Sequence, residues 1–78
     1  MKHNTQTVGS KVIVMWMEKL SKNKFKTNFS CATELSVGDE IETNGGFYSI
    51  DEIKSNRPST VKGRDYVETE TTRIRVKN

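Results

Sequence analysis

Residues 35–47 read LSVGDEIETNGGF, a stretch with a turn signal on each side of a short strand. Gly38-Asp39 predicts the first turn, and the run from Glu40 to Thr43 that follows it predicts a strand. Asn44-Gly45-Gly46 predicts a tight turn, because asparagine and glycine tolerate positive φ. Phe47 to Ile50 then returns as the partner strand. The stretch therefore predicts an antiparallel β-hairpin.

Two further strands are predicted before this hairpin. Val12 to Met17 is apolar and begins with β-branched residues, which predicts a central strand buried on both faces. Phe25 to Cys31 alternates apolar and polar residues with the period of a half-buried strand. A polar turn at residues 21–24 separates the two runs and predicts a second antiparallel hairpin. On this interpretation Trp16 and Phe29 lie in the core.

The C-terminal third predicts a bulge, a loop and a last strand. Ile53 is out of phase with Ile50, which indicates a bulge or bend. Lys54 to Asp65 is polar and predicts a long mobile loop. Tyr66 to Val76 predicts one long bent strand or two short ones. The pattern as a whole predicts an all-β fold, a small antiparallel barrel or sheet of four to six short strands.

The hairpin stretch carries the pattern L-x-x-G-D-x-I-x-x-x-G-G over residues 35–46, which resembles the hairpin of small SH3-like β-barrel domains. The resemblance implies an SH3-like fold. It implies little about function, because any diverging turn followed by a tight hairpin needs these residues. In size and in its Lys-, Asn- and Thr-rich composition the chain is also similar to small host-directed bacteriophage proteins, which would imply a protein-directed role.

The composition predicts one small domain. The chain has 78 residues, of which 32% are hydrophobic, so its core is thin and self-association would enlarge it. We interpret residues 1–10 as a flexible N-terminal arm and residues 11–78 as a single β domain. The single cysteine excludes an intramolecular disulfide and a cysteine zinc site, and it favours a reducing, cytoplasmic setting. The longest apolar run is too short to span a bilayer, so we expect a soluble protein with no membrane partner.

The charged residues are sorted by region. From Thr27 to Ile53 there is no Lys or Arg but there are six acids, whereas the other segments hold all 13 basic residues and four acids. The net charge of +3 is therefore +9 from the ends and −6 from the middle. Such a chain can present one surface to a polyanion and another to a basic partner or to a second copy of itself.

The basic residues predict an interface for RNA or single-stranded nucleic acid. Arg73, Arg75 and Lys77 alternate along the last strand, so they point to one face about 6.6 Å apart, near the spacing of backbone phosphates. The alternative is an edge strand whose charges only prevent aggregation. Tyr48 and Tyr66 are the rings that we expect to be exposed for base stacking. The predicted interface comprises Lys22, Lys24, Lys26, Arg57, Arg64, Arg73, Arg75, Lys77, Tyr48 and Tyr66.

The acidic hairpin supports an alternative function. Its residues Glu40, Glu42, Asp51 and Glu52 could dock on a basic host protein, as an inhibitor or adaptor does, or could simply solvate the surface.

Catalytic and metal-binding chemistry have little support in the sequence. No loop has the regular ligand spacing of a calcium site. His3 is the only histidine, and Cys31 lies on the apolar face of its strand, so we expect an inert thiol. We therefore predict no catalytic residue, no metal and no cofactor.

Overall fold

The computed structural model describes residues 5–9 and 11–76, which form six β-strands. The described part of the chain contains no helix, so the all-β prediction is confirmed. The strands are β1 (Thr5–Thr7), β2 (Val12–Lys19), β3 (Lys24–Cys31), β4 (Glu40–Thr43), β5 (Gly46–Pro58) and β6 (Asp65–Arg75). β5 and β6 are the longest and pair with each other over nearly their whole length.

All six strands belong to one sheet with the order β1-β4-β5-β6-β3-β2. Both predicted hairpins are present, as the antiparallel pairs β2 with β3 and β4 with β5. The pair of β1 with β4 is parallel, so the sheet is mixed. Within the predicted N-terminal arm, Thr5–Thr7 form β1; residues 1–4 and 10 lie outside the described residues, and the flexibility of the arm stays a prediction.

The link between β1 and β2 shows why this sheet curls. The two strands lie at opposite ends of the sheet order but are joined by residues 8–11 alone. In a flat sheet five strand spacings would separate them by about 24 Å, which is more than a link of this length can span (about 17 Å). Following cross-strand partners, Thr7 aligns with Arg75 of β6, whereas Val12 aligns with Asp65 at the other end of that strand. Such a stagger accompanies strand tilt in barrels, and the sheet forms a small half-barrel compatible with an SH3-like fold.

The core lies on the inner face of the curl. It consists of Val12, Phe29, Cys31, Leu35, Ile41, Ile50 and Val67. The prediction for Phe29 is therefore confirmed. Three fully buried threonines continue this face and satisfy their hydroxyl groups locally: Thr27 and Thr71 are 3.3 Å apart at their Oγ1 atoms, and Thr69 donates to the Thr27 carbonyl at 2.9 Å. Buried hydroxyls with partners avoid the penalty of unsatisfied polar groups.

Both predicted turns flank β4. In the first, the Asp39 carboxylate accepts the Ser36 amide at 2.9 Å. In the second, the Thr43 hydroxyl accepts from the Gly45 amide and donates to the Gly46 carbonyl. Among the residues of this second turn, positive φ occurs at Gly46 alone, at +140°. A Cβ atom there would lie 2.3 Å from the Arg75 carbonyl oxygen, so the close approach of β6 requires glycine.

Two predictions about the strands are wrong. Residues 12–17 belong to β2, an edge strand rather than a central one, and Trp16 is 45% exposed instead of buried. A strand with apolar side chains on both faces does not show whether another part of the chain packs against its second face. The predicted loop at residues 54–65 is also too long, because β5 continues to Pro58 and only residues 59–64 connect it to β6. The end of β5 is exposed and polar, but its backbone pairs with β6. The polarity of side chains does not indicate whether the backbone is paired, so the sequence suggested a loop.

Other predictions about the last third hold. The register of β5 against β6 shifts between Ile50 and Glu52 and again between Ile53 and Ser55, which confirms the bulge. Of the two alternatives for residues 66–76, the single long strand is the one observed.

Candidate functional site

A groove crosses the outer face of the sheet. Its volume is about 200 Å³, and four strands line it. One row of cross-strand partners runs from Trp16 through Asn28 and Glu68 to Ser55, and the next row pairs Arg57 with Tyr66. The lining residues are Met15, Trp16, Asn28, Ser55, Arg57, Tyr66, Val67 and Glu68.

Trp16 reaches this face because of a bulge in β2. The register against β3 shifts between Val14 and Trp16, so Met15 is an extra residue. Trp16 consequently opposes Asn28 on the outer face, whereas in an unbroken alternation it would share the inner face with Val14. The Lys26 ammonium lies 6.0 Å from the centre of the indole ring, within reach of a cation–π interaction.

Tyr66 is the second aromatic ring of the groove and is partly exposed. Side-chain hydrogen bonds with Ser59 and then Thr60 lower the pKa of Tyr66 below its ordinary 10.0, and the Arg57 guanidinium acts in the same direction. The phenol therefore lies near the hydroxyl groups of the β5–β6 connection. The Arg57 side chain forms no ion pair with any carboxylate of the described residues. The groove therefore combines two aromatic rings with an available guanidinium.

The floor of the groove is polar. Glu68 lies 3.2 Å from the Lys26 ammonium and accepts a long, 3.5 Å hydrogen bond from the Ser55 hydroxyl. The Oδ1 atom of Asn28 is buried and has no hydrogen-bond donor among the described residues. A buried carbonyl oxygen without a donor is costly, which marks this position as unusual for a purely structural amide. The partly exposed Glu68 carboxylate on this floor can accept an N–H group, whereas the Asn28 Oδ1 atom is shielded from solvent.

Two of the remaining predicted cations, Lys24 and Arg75, are paired with the predicted acidic surface. Lys24 lies 2.6 Å from Asp51, and Arg75 lies 3.5 Å from Glu40. Lys54 makes a similar pair with Glu52, at 3.6 Å, and with a second acid on β6. Charges that are segregated along the sequence are therefore interleaved in the fold, because β5 of the acidic segment lies beside β6.

The contact between Asp51 and Lys24 also shifts the pKa of each group. Partial burial opposes ionisation of Asp51, but hydrogen bonds from Lys24 and Thr72 outweigh it and hold the pKa of Asp51 below its ordinary 3.8. The hydrogen bond with Asp51 raises the pKa of Lys24 above its ordinary 10.5. Glu42, the fourth predicted docking residue, accepts a hydrogen bond from the Thr7 hydroxyl at 3.2 Å.

The fold brings the basic β2–β3 turn beside the basic end of β6. The Arg73 amide donates to the Asn23 carbonyl at 2.8 Å, which fixes the β2–β3 turn with its exposed Lys22 beside the end of β6. The Arg73 guanidinium lies 5.8 Å from the ring centre of Phe25. Arg75 lies 4.3 Å from the ring centre of Phe47 on the other face, because the register shifts between Phe47 and Tyr48; the prediction that Arg73 and Arg75 point to one face is therefore wrong.

Two predicted binding residues, Arg64 and Tyr48, have other placements. Arg64 clamps the sheet: it donates to the Ser30 hydroxyl at 2.9 Å, to the Ser30 carbonyl at 2.7 Å and to the Lys11 carbonyl at 3.3 Å. Tyr48 is 6% exposed, contrary to the expectation of an exposed ring, and packs edge-on against Phe25 with 5.4 Å between ring centres. Its position in phase with Ile50 was the signal for the inner face. Lys77 lies outside the described residues.

Sequence reasoning missed most of the groove. Trp16 was expected in the core, and Asn28, Ser55 and Glu68 carried no signal, because only the register brings them into one row. Cys31 is 2% exposed, and its burial raises the pKa of the thiol to about 11, consistent with the expected core position. The described residues contain no cluster of three or more His, Cys, Asp or Glu side chains able to hold a metal ion.

Comparison with protein-family models, with curated proteins and with solved structures gave no match, so the functional argument depends on the residues of this chain. Within the described residues, no helix has the length and apolar character needed to cross a membrane.

Proposed function

We propose that this protein is a non-catalytic module that binds RNA or other single-stranded nucleic acid, with one base held in the outer-face groove. The observation that carries the proposal is the grouping of Trp16, Tyr66 and the unpaired Arg57 around a single cavity. Unstacked bases are bound by aromatic side chains and by guanidinium planes, with little dependence on sequence.

The size and polarity of the groove suit a nucleobase. Its volume of about 200 Å³ is smaller than the roughly 300–1,000 Å³ of pockets that enclose drug-sized ligands, so it fits a single flat ring system. The two oxygens of the partly exposed Glu68 carboxylate can accept N–H groups from the edge of a base. The rings give affinity and these acceptors give a modest preference among bases.

The basic end of the half-barrel supplies phosphate contacts in this proposal. Glu68 lies about 17 Å along β6 from Arg73, which opposes the buried Tyr48 and so belongs to the inner side at the end of the sheet; a strand of three or so nucleotides that starts in the groove reaches Arg73 around that end. The outer face between them carries ion pairs, which present little net charge to a passing strand. Lys22, Arg57 and Arg73 form no ion pair with a described carboxylate and are the cations that we assign to phosphates.

Docking of a basic host protein on the acidic hairpin has weaker support. Glu40, Asp51 and Glu52 each form an ion pair with a cation of the same chain. A partner would have to break these pairs before it could use the carboxylates. The inhibitor or adaptor function is therefore less favoured than nucleic-acid binding.

We also propose a finer fold class, a similarity to bacteriophage proteins and a cellular location. The curled sheet and the hairpin pattern at residues 35–46 support an SH3-like barrel. The similarity to bacteriophage proteins rests on composition, and the cytoplasmic location rests on the single cysteine.

The indole ring provides a direct test. Trp16 is the single tryptophan of the chain, so its fluorescence reports on the groove without a label. We expect a short single-stranded RNA to quench this emission at about 50 mM salt, and the affinity to fall with a logarithmic slope of about −2 as salt rises, since three phosphate contacts contribute about −0.7 each. No quenching and no binding at low salt would reject the proposal.

A variant separates stacking from charge attraction. Trp16→Ala should weaken RNA binding, followed by anisotropy of a labelled strand, by about 1–3 kcal/mol, or roughly five- to 150-fold. Ile74→Ala is the matched control, because Ile74 is similarly exposed at 42% but does not line the groove. Equal affinities of the two variants would show that binding is electrostatic and does not use the groove.

A further inference from the structure

β2 is an edge strand with features that favour pairing. It has eight residues, no proline, and no strand on its outer side among the described residues. Three of its exposed side chains are apolar, with Ile13 41%, Met15 52% and Trp16 45% exposed, and its exposed charges, Glu18 and Lys19, lie at one end. Natural edge strands are usually short or carry proline or central charges that prevent pairing. The other edge, β1, has three residues.

We infer that β2 pairs antiparallel with β2 of a second copy of this chain, so that the sheet continues across a two-fold axis. A symmetric pair of this kind is isologous, meaning that each contact occurs twice. The inferred register opposes Lys11 to Glu18, Val12 to Met17, and Ile13 to Trp16.

The bulge at Met15 makes this register possible. Val12 and Met17 oppose Cys31 and Thr27 on β3, so both lie on the inner face. Without the extra residue they would lie on opposite faces, because they are an odd number of positions apart. Directly opposed residues of an antiparallel pair point to the same side of the sheet. Because of the bulge, the inner-face residue Val12 of one copy therefore opposes the inner-face residue Met17 of the other.

The outer face matches in the same way. Ile13 and Trp16 oppose Ser30 and Asn28 of β3, so both belong to the outer face. Across the axis each Ile13 meets a Trp16, and an aromatic ring beside a β-branched side chain is a favourable cross-strand pair. Both residues lose part of their exposed apolar surface.

Charge complementarity selects a second copy as the partner. Lys11 precedes β2 and Glu18 lies near its end, and both are exposed. In the inferred register the two opposite charges meet at each end of the shared pair, with apolar residues between them. The Val12 carbonyl already accepts the Gly9 amide at 2.8 Å, so the backbone ladder is short and the dimer is weak.

The test uses one charge reversal in each of two variants. Lys11→Glu opposes Glu to Glu18 twice across the axis, and Glu18→Lys opposes Lys to Lys11 twice. We expect sedimentation of the wild-type chain at low salt to show a concentration-dependent dimer, and each variant alone to dimerise about five- to tenfold more weakly. An equimolar mixture should recover the wild-type dimer, because the mixed pair restores opposite charges at both ends.

Lys62→Glu is the control, since it makes the same charge change in the β5–β6 connection, away from β2. Far-UV circular dichroism verifies that each variant is folded. A wild-type chain that stays monomeric up to the solubility limit overturns the inference. So does a Lys11→Glu variant that behaves like Lys62→Glu, or a mixture that does not recover the dimer. Lys11 and Glu18 do not line the groove, and the sedimentation is run without nucleic acid, so its outcomes do not depend on whether the groove binds a base.

Discussion

Replacing Gly46 by alanine tests the tight approach of the β4–β5 hairpin to the end of β6. Gly46 has a φ of +140°, and a Cβ atom added there would meet the Arg75 carbonyl oxygen at 2.3 Å, below the 3.0 Å that real Cβ contacts respect. The backbone conformation costs a non-glycine residue about 1–3 kcal/mol. Moving β6 to relieve the contact costs about 1–3 kcal/mol more.

The expected loss is therefore about 2–6 kcal/mol, against a total stability of about 4–12 kcal/mol for a chain of 78 residues. Two other glycines separate the two causes. Gly63 has a φ of +84° but open space around its Cβ position, so Gly63→Ala should lose about 1–2 kcal/mol from strain alone. A Cβ at Gly45 would make only ordinary contacts at 3.8 Å, so Gly45→Ala should change stability by less than about 0.5 kcal/mol.

The assay is urea unfolding of the three variants, followed by Trp16 fluorescence and by circular dichroism. A thermal scan should show Gly46→Ala melting at least about 8 °C below the wild-type chain, since each kcal/mol shifts the midpoint of such a domain by about 4–8 °C. A Gly46→Ala variant as stable as Gly45→Ala would refute the reasoning, because it would mean that the hairpin does not pack this closely against β6.

The other predictions concern single side chains. Arg57→Ala should weaken RNA binding and make the salt slope shallower by about 0.7, without loss of stability. Arg64→Ala should lose about 1–3 kcal/mol of stability in urea unfolding, because its hydrogen bonds to Ser30 disappear. The depressed pKa of Asp51 stabilises the fold above the ordinary 3.8 and this contribution is lost as the pH falls through the folded value, so Asp51→Asn should be less stable than the wild type at neutral pH and equal to it in acid. Urea titrations of both proteins at several pH values measure this difference in stability. A difference that persists in acid would contradict the prediction. Cys31 should react slowly with a thiol reagent at pH 9.0, where a free thiol is half ionised, and rapidly in denaturant; fast reaction of the folded chain would contradict its burial.

Local patterns in the sequence were sufficient to predict much of the fold. The alternation from Phe25 to Cys31 gave the buried face of β3, and the Asn-Gly-Gly turn gave the hairpin that joins β4 and β5. The phase slip between Ile50 and Ile53 gave the bulge. In each case a period of two or a turn residue reflects backbone geometry directly, so the prediction needs no knowledge of the neighbouring strands.

The candidate site could not be predicted in this way, because it depends on strand order. Trp16 faces the groove as a result of one extra residue in β2, and Glu68 joins it only because β6 lies beside β3. Tyr48 is buried because its strand phase prevails over the tolerance of a phenol for water. The parallel pairing of β1 with β4 had no local signal either, since 32 residues separate the two strands in the chain.

The interleaving of the charges has a kinetic consequence. Had the acidic and basic segments formed two surfaces, the molecule would have had a large electric dipole that could orient it toward a polyanion. With the ion pairs closed within the chain, a partner beyond the Debye length of about 8 Å experiences little more than the net charge of +3. Encounters are then steered weakly, with rate constants nearer about 10⁵–10⁶ M⁻¹s⁻¹ than the diffusion limit. The residence time, set by contacts at short range, becomes the quantity that distinguishes one partner from another.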